Sequence, residues 1–126
     1  MGAPEMPRHV ALIVEDDPDL RSMAATLLEE SDLQVAETSS PEEAIAYLRG
    51  HGSQVAFLFA DIRQPCRVDG VDFAHRVHDE WPWVHVLVTT NSPDGLRPAL
   101  PIGITCMRKP WRALDLLVQA DRATRS

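Results

Sequence analysis

The chain has 126 residues, enough for one domain, and its 44% apolar and 25% charged content is ordinary for a soluble globular protein. A formal net charge of −7 argues against nucleic-acid binding, which calls for a basic face. No apolar run approaches the roughly 18 residues needed to enter and cross a bilayer, and Met1 to Pro7 lacks a signal-peptide apolar region. Cys66 and Cys106 match no metal-ligand spacing, so two free thiols in a reducing, cytoplasmic setting are expected.

Val10 to Val14 is a continuous apolar run that stops at Glu15, Asp16 and Asp17. A short run of this kind fits a strand buried on both faces. Asp17 before Pro18 suits an N-cap followed by proline at the first helical position. Leu20, Met23, Ala24, Leu27 and Leu28 then recur at helical spacing. Leu33 to Glu37 reads as a second strand, and Ser40-Pro41-Glu42-Glu43 as a capping box opening a helix that Gly50 is expected to end. Val55 to Ala60 is a second fully apolar run, stopping at Asp61. Val71, Phe73, Ala74 and Val77 predict a third helix, broken by Pro82. Val84 to Val88 predicts a fourth strand that ends at Thr89 and Thr90. Asn91 to Gly103 holds three prolines and two glycines, so any helix there is short or irregular. Ile104 to Met107 predicts a fifth strand ending at Arg108-Lys109-Pro110, and Leu114, Leu117 and Val118 mark a last helix ending near Arg122.

Strand and helix alternate five times, which implies a parallel sheet with helices on both faces. Ligands of such sheets bind at the carboxyl ends of the strands. There the chain places acids, Asp61, threonine and lysine. Carboxylates of Glu15, Asp16 and Asp61 brought close together repel, by roughly 4 kcal/mol for a pair about 4 Å apart at an effective dielectric near 20. Such a site must hold a cation or protonate. Mg²⁺ fits best, because it takes one or two carboxylates, waters and a phosphate. A carboxylate beside it can attack phosphorus, while Lys109 and a threonine hydroxyl stabilise the transferred group.

Glu15-Asp16, Asp61 with Pro65 four residues on, Thr89 and Lys109-Pro110 together resemble the signature of receiver domains in two-component signalling. The resemblance covers about residues 9 to 122 and implies a flavodoxin-like, CheY-like (βα)5 fold with sheet order 2-1-3-4-5. It implies Asp61 as phosphoacceptor, and Asp16, Asp61 and the Arg63 backbone carbonyl as Mg²⁺ ligands, with Glu15 acting through water. Thr89 matches the hydroxyl that moves to the phosphoryl group and Lys109 the cation that pairs with it. Pro110 matches a proline often preceded by a cis bond. Asp17 suits a cap better than a ligand, and Thr89 is preferred to Thr90 because it directly follows the apolar run.

The implied partners are a sensor histidine kinase or phosphotransfer protein upstream and a protein target downstream, with no nucleic acid or membrane insertion. The expected organisation is a disordered lead-in over 1–8, a single receiver domain over 9–122 and a short tail over 123–126. No effector domain is expected after the last helix. Two features depart from the family pattern. The loop between Pro65 and Asp69-Gly70 is one residue longer than in many receivers, and Cys106 stands where many have an aromatic ring, so an altered readout is expected. Arg63 and Asn91 hold positions that often tune dephosphorylation. The competing readings are a degenerate receiver serving as an interaction module, and a phosphohydrolase. The hydrolase needs a second acid two residues after the nucleophile, where this chain has Arg63. The chain is thus expected to be a phosphoacceptor and not an enzyme.

Overall fold

The computed structural model describes residues 8–61, 68–91 and 93–125. Five parallel strands form one sheet: β1 Val10–Val14, β2 Gln34–Thr38, β3 Val55–Asp61, β4 His85–Thr90 and β5 Thr105–Arg108. Their order is β2-β1-β3-β4-β5, so the crossover reverses direction between β1 and β3, as the family resemblance implied. The helices are α1 Pro18–Glu29, α2 Pro41–His51, α3 Val68–Glu80, α4 Pro93–Leu96 and α5 Ala113–Arg125.

The pleat sorts the central strands into two cores. Leu12, Val14, Leu58, Ala60, Val86 and Val88 pack with Ile45 and Leu48 of α2, Phe73, Ala74 and Val77 of α3, and Leu96 of α4. Ala11, Ile13, Phe57, Phe59 and Leu87 point the other way, onto Ala24 and Leu28 of α1 and Leu116, Ala120 and Ala123 of α5. Burial on both faces is why β1 and β3 read as unbroken apolar runs.

Local sequence sets the helix starts. Asp17 Oδ1 accepts from the amides of Asp19 and Leu20, at 2.9 and 3.3 Å, with Pro18 at the first helical position. Ser40 Oγ accepts from Glu43 N at 3.2 Å, and Glu43 Oε1 in return accepts from Ser39 N at 2.8 Å. The capping box therefore forms, reaching back one residue further than the simplest version.

Several expectations are corrected. Gly50 lies inside α2, which runs on to His51 and a 3₁₀ turn over Gly52–Gln54. Gly52 is demanded by close approach: a Cβ there would lie 2.5 Å from Trp81 Nε1. Leu20 and Met23 of α1 are exposed, and the buried residues are Ala24, Ala25 and Leu28. On α5, Leu114 and Val118 face outward and Leu116, Ala120 and Ala123 face the core. That helix runs past Arg122 to Arg125, so the expected tail is largely helical. Arg8, expected in the lead-in, stacks its guanidinium 5.1 Å from the Trp83 ring centre. Residues 91–103 behave as their prolines dictate: α4 is one turn, followed by a 3₁₀ turn over Arg97–Ala99.

Candidate functional site

Asp61 is the last residue of β3, and sheet register sets it beside Thr89 of β4. Thr89 Oγ1 donates to Asp61 Oδ1 at 3.3 Å. Lys109 follows β5, and its Nζ lies 2.6 Å from the same oxygen. The Asp61 side chain is only 6% exposed and that of Lys109 24%, so this ion pair is largely shielded from solvent. Lys109 is fixed from behind: its amide donates to Thr90 O at 2.9 Å, and the Lys109–Pro110 bond is cis, in line with the resemblance. Trp111 meets Phe59 edge-on with ring centres 5.3 Å apart, tying the chain after Pro110 to β3.

Glu15 follows β1, which pairs with β3 so that Val14 lies beside Ala60; Glu15 and Asp61 therefore emerge next to each other. Glu15 is 7% exposed. Its Oε2 accepts from Asp17 N at 3.1 Å, and its carbonyl from Arg21 Nη1 at 2.9 Å. Burial pushes the Glu15 carboxyl above its ordinary range; the Asp17 amide opposes this, and the negative charge of Asp61 and contact with Asp16 add to it. Asp16 itself faces solvent. The sequence-predicted residues Glu15, Asp16, Asp61, Thr89 and Lys109 thus meet at one rim. Arg63, Pro65 and Cys66 lie outside the described residues.

Among the described residues, no three His, Cys, Asp or Glu side chains are gathered closely enough to hold a metal ion. Lys109 supplies the positive charge at Asp61, and Asp16, though exposed, stays in contact with Glu15. The chemistry of the donors still fits Mg²⁺, which needs only one or two carboxylates and fills its remaining positions with carbonyls and water. The mutual repulsion registered at Glu15 is what a divalent cation would relieve.

Next to this rim lies a feature that sequence reasoning missed. Arg108 Nη1 donates to Asn91 O at 3.1 Å, and Arg97 Nη2 to Cys106 O at 3.4 Å. Cys106 is buried, which raises its thiol pKa; nearby Arg97 lowers it and Asp94 raises it. Contacts of this kind join residues distant in sequence through a backbone acceptor and leave no local pattern to read.

Residues 11–120 match the family model of the response regulator receiver domain. The chain belongs to that family. As a receiver it also resembles solved structures. One is a response regulator receiver domain protein from Clostridium thermocellum, at 22% identity and TM-score 0.81, covering 93% of this chain and 94% of that one. Another is a sensor protein from Polaromonas sp. JS666, at 22% identity and TM-score 0.78, covering 94% and 98%. A third is NtrX from Brucella abortus in complex with ADP, at 22% identity and TM-score 0.77; the match covers 92% of this receiver and 27% of NtrX. Among curated protein sequences there was no significant match. Membership places the chain in two-component phosphorelay signalling, whose receivers work with kinases or phosphotransfer proteins. Among the described residues, no helix is long and apolar enough to cross a membrane.

Proposed function

We propose that this receiver takes a phosphoryl group onto Asp61 from a phosphohistidine of a kinase or phosphotransfer protein, and that the modification switches its contacts with a downstream protein. The observation that carries the reading is the Asp61 oxygen held between the Lys109 ammonium and the Thr89 hydroxyl. In the transfer an Asp61 carboxylate oxygen bonds to phosphorus as the P–N bond to the donor imidazole breaks. The departing nitrogen keeps the bonding pair and takes up a proton. Lys109 moves its ammonium from the carboxylate to a phosphoryl oxygen, and Thr89 turns its donor to another. Asp16 and Asp61 would hold Mg²⁺, with Glu15 through water and the Arg63 carbonyl as a further ligand. The ion, when bound, neutralises charge on the phosphoryl oxygens. The receiver is consumed stoichiometrically in this step and is not an enzyme in the turnover sense.

A second reading, a degenerate receiver acting by binding alone, draws on Cys106 and the one-turn α4, which alter the face beside the site. Incubation with acetyl phosphate and Mg²⁺ followed by intact-mass measurement separates the two. The expected result is a gain of one phosphoryl group that Asp61→Ala abolishes. No gain, either from acetyl phosphate or from a phosphorylated cognate kinase, would favour the degenerate reading.

A further inference from the structure

We propose that Arg108 is a positioning residue that couples Asp61 to the stretch from Pro93 to Leu100, an inference that rests on Asp61 being the phosphoacceptor. This stretch has little regular structure of its own. Its helix is one turn long, and Pro93 and Pro98 bring no amide donors. Pro93, Leu96 and Leu100 sink into the core, Leu100 N donates to Arg97 O at 3.1 Å, and side chains bonded to carbonyls tie the stretch to its neighbours. His75 Nε2 of α3 lies 2.7 Å from Ala99 O at the far end. Arg97 of the stretch reaches Cys106 O on β5, and Arg108 of β5 reaches Asn91 O at the near end.

The near end is the one tied to the acceptor. Arg108 and Lys109 are consecutive, and Arg108 lies beside Thr90 in the β4–β5 register. Lys109 grips Asp61 while its amide holds Thr90 O. Thr89, one residue earlier, donates to Asp61. Two neighbouring side chains of one strand end thus contact the acceptor carboxylate and the carbonyl just after β4. When Lys109 and Thr89 transfer their bonds from carboxylate to phosphoryl oxygens, Arg108 moves with the Lys109 backbone and pulls on Asn91. The His75 contact at Ala99 belongs to α3 and stays still, so the stretch turns about that end. Cys106 carries no ring through which a motion of this size could pass.

Hydrogen–deuterium exchange of peptides spanning 93–103 tests this in the full chain, comparing wild type, Arg108→Ala and Arg108→Lys with and without acetyl phosphate and Mg²⁺. Intact mass is read on the same samples. Wild type is expected to shift exchange severalfold on phosphorylation. Arg108→Ala is expected to take up the phosphoryl group and lose that shift, and Arg108→Lys to recover part of it. Full retention of the shift in Arg108→Ala would overturn the coupling. Absence of phosphoryl uptake by wild type, both from acetyl phosphate and from a phosphorylated cognate kinase, would instead overturn the phosphoacceptor reading. In that case Asp61→Asn, which removes the charge held by Lys109, supplies the perturbation. Its effect on 93–103 must then vanish in the Arg108→Ala background, and equal effects in both backgrounds would refute the coupling.

Discussion

At the scale of single residues, the site is a balance of like charges around one ammonium. Glu15 suffers most, being buried beside Asp16 and Asp61. Its folded-state pKa is raised above its ordinary value of 4.5, so the folded chain binds this proton more tightly than the unfolded chain. The stability gained is full below the unfolded value and is lost as pH rises through the folded value. At neutral pH the ionised carboxylate therefore weakens the fold. Glu15→Gln can still accept from the Asp17 amide and carries no charge. In urea unfolding with a chelator present, this variant is expected to be more stable than wild type at pH 7, with the difference shrinking toward pH 4. A variant equal to or weaker than wild type at pH 7 would contradict the assignment. Asp61, Thr89 and Lys109 were legible because each closes or follows a strand that apolar composition made obvious. Arg108 was not, because its partner is a carbonyl 17 positions away and any residue has a carbonyl.

At the scale of elements, strands were easier to read than helix faces. β1 and β3 are buried on both sides, so composition alone marks them. α5 has apolar residues at 114, 116, 117 and 118, which supply two competing stripes. Only the direction of the sheet decides between them, and it selects Leu116 with Ala120 and Ala123. Leu116→Ala is accordingly expected to cost about 2–5 kcal/mol, the range for a large buried aliphatic cut to alanine. Leu114→Ala, at a position 69% exposed, should fall within about 0.5 kcal/mol of wild type. Chemical denaturation of the two variants checks the face directly, and a reversed order would place the wrong side of the helix against β3. The same ambiguity explains α1, where Leu20 and Met23 share the helical rhythm and yet stand in solvent.

At the scale of the whole molecule, the sheet separates two cores that are expected to unfold as one cooperative unit. Ile13 lies on the α1–α5 side and Ile45 on the α2–α3 side. Each Ile→Val change is expected to cost about 0.5–1.5 kcal/mol. Because the sheet stands between them, the double variant should sum the two within about 0.5 kcal/mol. A single two-state transition with unchanged denaturant dependence should persist throughout. Separate transitions for the two variants would mean that the faces unfold independently. The overall topology followed from the alternation of strand and helix, since right-handed crossovers leave few arrangements open to such a chain. What the alternation could not supply was the outward geometry of Pro93 to Leu100, because prolines forbid a regular helix without dictating what replaces it.

Among the described residues, the order of the sheet leaves β2 and β5 with one unpaired side each. Such borders invite a stranger's backbone to add on, the first step toward fibres. Here each border is brief, and neither is smooth. β2 sets Gln34 and Glu37 toward solvent, and β5 lasts four residues, ending at the exposed Arg108. The charge that Arg108 sets at the end of β5 therefore also guards the open flank against unwanted stacking of chains.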